Sequence, residues 1–186
     1  YQDVGIDGTY GFGRKNAKFH VDLEAGHHSK EYQNNRPGTA ALDHEYTDLG
    51  VTFYYRVAPK TSALLEVKNT RFDYDLAGST LDSDELRVLG GVTWQATNKT
   101  SGTIKLGYLE KDFDSAARND YDGSGWEVSV NWAPRTYSRF DFSTSGETDE
   151  STGIGDYIET HSADVAWTHD WSYRFSTTVD LGVSNK

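Results

Sequence analysis

With no cysteine and no methionine, the groups able to do chemistry in this 186-residue sequence are its oxygens and imidazoles. Six histidines, His20, His27, His28, His44, His161 and His169, are the side chains whose charge changes near neutral pH. His27 and His28 are adjacent. His28 with an acid such as Asp43 is the kind of pair that activates a water for hydrolysis. Nothing in the spacing singles that pair out. Asp73-Tyr-Asp75, Asp82-Ser-Asp84, Asp112-Phe-Asp114 and Asp120-Tyr-Asp122 offer hard oxygen ligands of the type Ca²⁺ takes, but none follows the EF-hand loop pattern. The sequence holds no Gly-x-Ser-x-Gly elbow, no His-Glu-x-x-His, no P-loop and no dinucleotide fingerprint opening a helix. No catalytic residue, cofactor or metal site is assigned, and the expected role is not enzymatic.

The elements that carry these residues are set by composition and period. The net charge is -11, which disfavours a nucleic-acid partner. Only 35% of the chain is hydrophobic, yet 13% is aromatic, more than disordered chains hold. No run approaches the ~18 apolar residues of a membrane-spanning helix. There is no initiating Met, no charged n-region and no apolar h-region, so the chain reads as mature protein or a fragment.

The dominant period is two. Trp126, Val128, Val130 and Trp132 alternate with Glu127, Ser129 and Asn131. Phe175, Thr177, Val179, Leu181 and Val183 alternate with Ser176, Thr178, Asp180 and Gly182. Leu86, Val88, Gly90, Val92 and Trp94 share one parity, Arg87, Gly91 and Thr93 the other. Such alternation marks strands with one apolar and one polar face. It predicts about ten strands, near 1–13, 17–32, 44–58, 62–75, 84–97, 101–114, 124–133, 137–147, 159–170 and 173–185. No segment carries a helical stripe, and Pro37, Pro59 and Pro134 are expected between strands.

Connections alternate as well. Short turns are expected near Arg14-Lys15-Asn16, Pro59-Lys60-Thr61, Asn98-Lys99-Thr100, Pro134-Arg135-Thr136 and Trp171-Ser172, and longer loops near 33–43, 76–83, 115–123 and 148–158. Short periplasmic turns facing longer extracellular loops are a property of outer-membrane barrels. Val92-Thr-Trp94 returns as Val130-Asn-Trp132 and Val165-Ala-Trp167, one hairpin apart, so the repeating unit is two strands and a turn. The expected fold is therefore all-β: an antiparallel up-and-down meander forming a transmembrane β-barrel. Residues 1–186 are read as one outer-membrane barrel domain, part of a longer barrel.

The parities assign faces. Tyr54, Glu66, Lys68, Arg87, Lys105, Glu127, Asp141, Asp164 and Asp180 share the polar parity and are the expected lumen lining. Tyr54 among them could stack on a sugar face. Tyr55, Trp94, Trp132 and Trp167 share the apolar parity near the short turns, where a membrane girdle would sit. A soluble sheet or lectin-like sandwich would use the same alternation, with the apolar parity as a core. The acidity is local: segments 71–85, 110–123 and 146–160 hold 15 of the 29 acids and 3 of the 18 bases, a net -12 against +1 for the remainder. Such a rim would stay solvated and repel anionic solutes.

Motifs add a resemblance. Val92-Thr-Trp-Gln-Ala-Thr-Asn-Lys-Thr-Ser-Gly-Thr-Ile-Lys-Leu-Gly-Tyr108, then Lys111-Asp-Phe-Asp114, resembles the outer-membrane β-barrel family of exopolysaccharide biosynthesis and export loci, the EpsL-like proteins. So do Gly125-Trp-Glu-Val-Ser-Val-Asn-Trp-Ala-Pro-Arg-Thr-Tyr-Ser138, Glu150-Ser-Thr-Gly-Ile-Gly-Asp-Tyr157 and Trp167-Thr-His-Asp-Trp171. The similarity is clearest over 84–186; residues 1–83 fit by pattern. The resemblance implies a barrel in the bacterial outer membrane, surrounded by its lipid, that passes an exported polysaccharide and works with periplasmic export proteins. It brings no catalytic residue. Members of that family are longer, and outer-membrane barrels typically end on an aromatic residue where this chain ends Ser184-Asn185-Lys186. A closed barrel of ten strands is too narrow for a hydrated polymer, so the conduit reading needs further strands or other chains. A structural or adhesive barrel binding a partner through acidic loops is the second expectation, and an enzyme with a rim site the third.

Overall fold

The computed structural model describes residues 1–14, 17–97, 99–149 and 158–185, the side chains of 147–149 and 158 excepted. Lys15, Asn16 and Asn98 of the expected turns therefore lie outside the described residues. So do the 150–157 motif with its acids Glu150 and Asp156, and Lys186.

Alternation along the chain becomes ten strands: β1 (Gln2–Phe12), β2 (Phe19–Glu31), β3 (His44–Ala58), β4 (Thr61–Tyr74), β5 (Ser83–Thr97), β6 (Thr100–Phe113), β7 (Tyr121–Arg135), β8 (Ser138–Asp149), β9 (Ile158–Ser172) and β10 (Phe175–Asn185). They form one antiparallel sheet in sequence order, the up-and-down meander that the period predicts. No strand end moves by more than three residues from its expected place. The sheet is open: β1 and β10 are its two edges.

Three local expectations are corrected. Pro134 lies inside β7, not between strands. The β7–β8 register shifts between Trp132 and Arg135, and a bulge takes the missing proline N–H out of the ladder. The β9–β10 turn falls on Tyr173-Arg174, because Trp171 and Ser172 still belong to β9. The loop after β2 contains a four-residue helix, α1 (Arg36–Thr39), followed by a 3-10 turn at Ala40–Leu42. Asn35, at φ 55°, turns the chain into it, and Pro37 in its first turn presets a helical φ.

Two glycines show where the sheet bends. A Cβ on Gly91 would overlap the Ile104 carbonyl oxygen, and one on Gly107 would overlap the Val88 carbonyl oxygen. Between β5 and β6 the backbones approach closely enough that only glycine fits, a device that curls sheets. Beside this bend Leu89 and Leu109 are the most buried apolar side chains, 0% and 1% exposed. Both pack over Gly125, whose added Cβ would meet Leu89 Cδ2 at 3.5 Å and Leu109 Cβ at 3.8 Å.

Candidate functional site

Register carries the alternation from strand to strand, so the sheet has two chemically distinct faces. On one face Glu66 of β4 lies opposite Leu89 of β5, and Lys68 opposite Arg87. Lys105 of β6 lies opposite Glu127 of β7, Asn131 opposite Asp141 of β8, and Ser143 opposite Asp164 of β9. Ala166 lies opposite Asp180 of β10, and Tyr54 of β3 opposite Leu64. All nine residues expected to line a lumen therefore share this charged face.

Six of them, Glu66, Lys68, Arg87, Lys105, Glu127 and Asp141, are paired rather than loose. Lys105 Nζ donates to Glu66 Oε2 at 2.7 Å and also bridges to Glu127, which in turn binds Arg87. Lys68 bridges to Asp48 at 2.9 Å, and Asn131 donates to Asp141 at 2.5 Å. The Asp164 carboxylate lies over Gly182. Mid-face charges thus form a ladder of alternating sign across β4–β7.

The opposite face carries no Asp, Glu, Lys or Arg through the middle of any strand. On β7 it presents Trp132, Val130, Val128, Trp126 and Ser124 before the first acid, Asp122. On β5 it presents Trp94, Val92, Gly90, Val88 and Leu86 before Asp84. Ten residues at ~3.3 Å each, tilted by ~40°, span ~25 Å, the height of the apolar band of a membrane barrel. Side chains here face outward into the surroundings even on inner strands: Leu106 is 61% exposed, Phe53 49% and Leu65 46%.

The four girdle candidates sit on this apolar face at its short-turn end. Tyr55 contacts Phe19 at 5.0 Å, Trp132 stacks on Phe140 at 5.4 Å, and Phe140 approaches Trp167 at 6.4 Å. Trp94 covers Gly102, where an added Cβ would lie 2.7 Å from the indole. Trp167 anchors its ring by donating to Ser138 Oγ at 3.0 Å. A second aromatic level, Trp126 against His161 at 4.8 Å, lies nearer the long loops.

The enzyme pair does not assemble. His28 lies 3.0 Å from Asp7 and stacks on Tyr46 at 4.6 Å. Asp43 instead accepts the Tyr32 N–H at 2.8 Å and binds Arg36. Burial pushes the Asp43 carboxyl up, but the Tyr32 N–H and the Arg36 guanidinium outweigh it and hold the carboxyl below the usual range.

Nor do the paired aspartates stand free for a cation; each pair has a member bonded within the protein. Asp82 accepts the Tyr74 N–H at 2.8 Å and Asp120 the Phe113 N–H at 2.9 Å. Asp43, Asp82 and Asp120 each stand immediately before an odd-numbered strand and each caps the end of the strand before it. Backbone bonds zip neighbouring loops together, Asp75 N–H to Asp43 O at 3.0 Å and Asp114 N–H to Asp82 O at 2.9 Å. On the outer side Arg71 gathers Asp73, Asp84 and Asp114 at 3.0, 2.8 and 2.5 Å. That guanidinium holds the Asp114 carboxyl below its ordinary range. Part of the acidic rim is therefore a set of structural latches. Among the described residues no group of three or more His, Cys, Asp or Glu could hold a metal ion.

Sequence reasoning missed the apolar members of the charged face. Leu64, Leu89 and Leu109 share its parity and are buried there. The detectable signal was a leucine out of phase beside glycines of the same parity, as in Leu89 with Gly91. It also missed Arg56, which lines a hollow of about 520 Å³ at the short-turn end of the same face.

Compared with known proteins, residues 3–186 match the family described as "Putative beta-barrel porin 2". No curated protein and no solved structure matches the chain.

Proposed function

The chain belongs to this β-barrel porin family, and from that premise we propose that it is a passive conduit of the bacterial outer membrane through which an exported polysaccharide passes. The observation that carries the reading is the separation of charge: a band ~25 Å high without charge on one face, and Glu66, Lys105, Glu127 and Arg87 on the other. The apolar face would meet lipid, with Tyr55, Trp94, Trp132 and Trp167 at the interface. The charged face would line a wet passage, where charge and width select solutes without a chemical step. The polymer is proposed from the EpsL-like stretches 92–114 and 125–138, with periplasmic export proteins at the short-turn end. In a bilayer, the unpaired backbone groups of β1 and β10 must find partners, because nothing in hydrocarbon satisfies them. Joining these edges to additional strands would also supply the width that ten strands lack.

The test is conductance. Full-length protein in planar bilayers should give discrete channels that its polymer blocks; folded protein that never conducts would sink the proposal. A narrow structural barrel is the second reading, favoured by Leu89 and Leu109, which fill part of the charged face. It predicts folded, inserted and non-conducting protein.

A further inference from the structure

One row of residues crosses the charged face in unbroken register. Arg56 of β3 lies opposite Ser62 of β4, Ser62 opposite Thr93 of β5, and Thr93 opposite Thr103 of β6. Thr103 lies opposite Ser129 of β7, and Ser129 opposite Ser143 of β8. Five consecutive strands thus present a hydroxyl in register, and the row begins at a guanidinium. Neighbouring strands stand ~4.8 Å apart, so the hydroxyls are spaced at about one pyranose ring along a glycan.

The row does not run level. Arg56 lies two residues before the end of β3 at Ala58, Ser129 six before the end of β7 at Arg135. It therefore climbs from the short-turn mouth towards mid-face, as strand tilt requires. Two hollows follow it. The first, about 520 Å³, includes Arg56, Ser62 and Thr93; the second, about 420 Å³, includes Thr93, Thr103, Ser129 and Ser143. Both include Tyr54, which stands where they meet.

The valences along this row are open at three of its five hydroxyls. Thr103 donates to Thr93 at 3.0 Å and Thr93 to the Gly102 carbonyl at 3.3 Å, but Ser62, Ser129 and Ser143 make no side-chain hydrogen bond among the described residues. Arg56 Nη2 is buried and has no hydrogen-bond partner there. The nearby acid, Asp22, is engaged by His20 at 2.7 Å. Lys60 adds a second positive charge at the same mouth, donating only to the Ala96 carbonyl at 3.2 Å. A half-buried guanidinium that lines a hollow and has no anion bound among the described residues favours a carboxylate, and a ladder of hydroxyls suits the hydroxyls of a sugar.

The geometry points to a binding track for an acidic oligosaccharide, with the sugar carboxylate on Arg56 and the following rings along Ser62, Thr93, Thr103, Ser129 and Ser143. It deepens the conduit reading and rests on it for the direction of travel. The track would load at the short-turn mouth and hand the chain inward past Tyr54.

The test uses the full chain folded in detergent micelles, titrated calorimetrically with a galacturonic acid trisaccharide and with its carboxyl-reduced, neutral counterpart. The acidic sugar should bind about tenfold or more tightly than the neutral one, the scale of one charge-assisted hydrogen bond. Arg56→Gln should erase that preference and leave neutral-sugar binding in place. The pair Ser129→Ala and Ser143→Ala should weaken both sugars alike, whereas Thr70→Ala, on the same face but lining neither hollow, should weaken neither. Equal binding of the two sugars, or a preference that survives Arg56→Gln in protein with unchanged circular dichroism, overturns the track. Inorganic phosphate competing as well as the sugar acid reduces the site to a bare anion site and overturns it too. Conductance separates this from the conduit: channels that no acidic sugar occupies remove the track alone, while sugar binding without channels removes the conduit alone.

Discussion

Lys105 on β6 reaches Glu66 on β4, two strands away, at 2.7 Å. The residue opposite Lys105 on the intervening strand is Gly91, which leaves the way across β5 open. Arg87 on β5 reaches Glu127 on β7 in the same manner, with Gly107 at the β6 position between them. The glycines that bend the sheet therefore also let charges pair across a whole strand. Neither role is visible without the other.

Lys105 separates two carboxylates. Lys105→Gln should leave Glu66 and Glu127 without the ammonium that lies between them, Arg87 remaining on Glu127. Reversal potentials in a salt gradient should shift towards cation selectivity. Stability should fall by ~1–3 kcal/mol, the scale for losing a charged hydrogen bond. An unchanged reversal potential in conducting protein would place the ladder away from the ion path.

The two faces can be told apart by neighbouring residues. Val128→Lys puts a charge in the middle of the apolar band and should cost ~2–4 kcal/mol of folding in lipid. Ser129→Lys, one residue on, should be tolerated. Urea titration of protein folded into vesicles measures both. Equal costs would mean that the apolar face does not meet hydrocarbon.

Gly107→Ala should be poorly tolerated, because its methyl overlaps the Val88 carbonyl oxygen, which belongs to the backbone and cannot rotate away. A loss of ~1–3 kcal/mol is expected from overpacking. Gly8→Ala is the control, since its nearest neighbour is the Ala25 oxygen at 3.9 Å. Denaturant midpoints in micelles give the comparison, and similar midpoints would contradict the tight bend.

The loop after β2 should loosen in acid. The folded Asp43 carboxyl is held below its usual range, so its stabilising effect is complete above the ordinary aspartate pKa. It is lost as the pH falls through the lowered folded value. Proteolysis of segment 33–43 by an acid-active protease should therefore rise steeply below about pH 4. Asp43→Asn should show fast cleavage at every pH. A flat profile for the native protein would show that Arg36 and Tyr32 do not depend on the charge.

Strand existence and face were legible because both are local. A residue's neighbours at i and i+2 lie on one side of the pleat whatever the strand pairs with, so Trp126-Glu127-Val128 already assigns its faces. The bulge at Pro134 was not legible, because it depends on how β7 meets β8. Leu89 was obscured for a related reason: a leucine on the wet parity is buried only because Gly107 and Gly125 make room for it on the next two strands.

By itself, then, the sequence determined a ten-stranded meander with one charged and one apolar side, since a period of two needs no partner to be read. The tertiary structure decided which residues stand opposite one another. Register is set by turn lengths, bulges and the stagger of tilted strands, none of which alternation encodes. Only that register turns Arg56, Ser62, Thr93, Thr103, Ser129 and Ser143 from scattered polar residues into a row. It also turns Asp82 and Asp120 of the acidic segments, and Asp43 of the loop after β2, into three latches, because each reaches a backbone N–H that folding alone brings near.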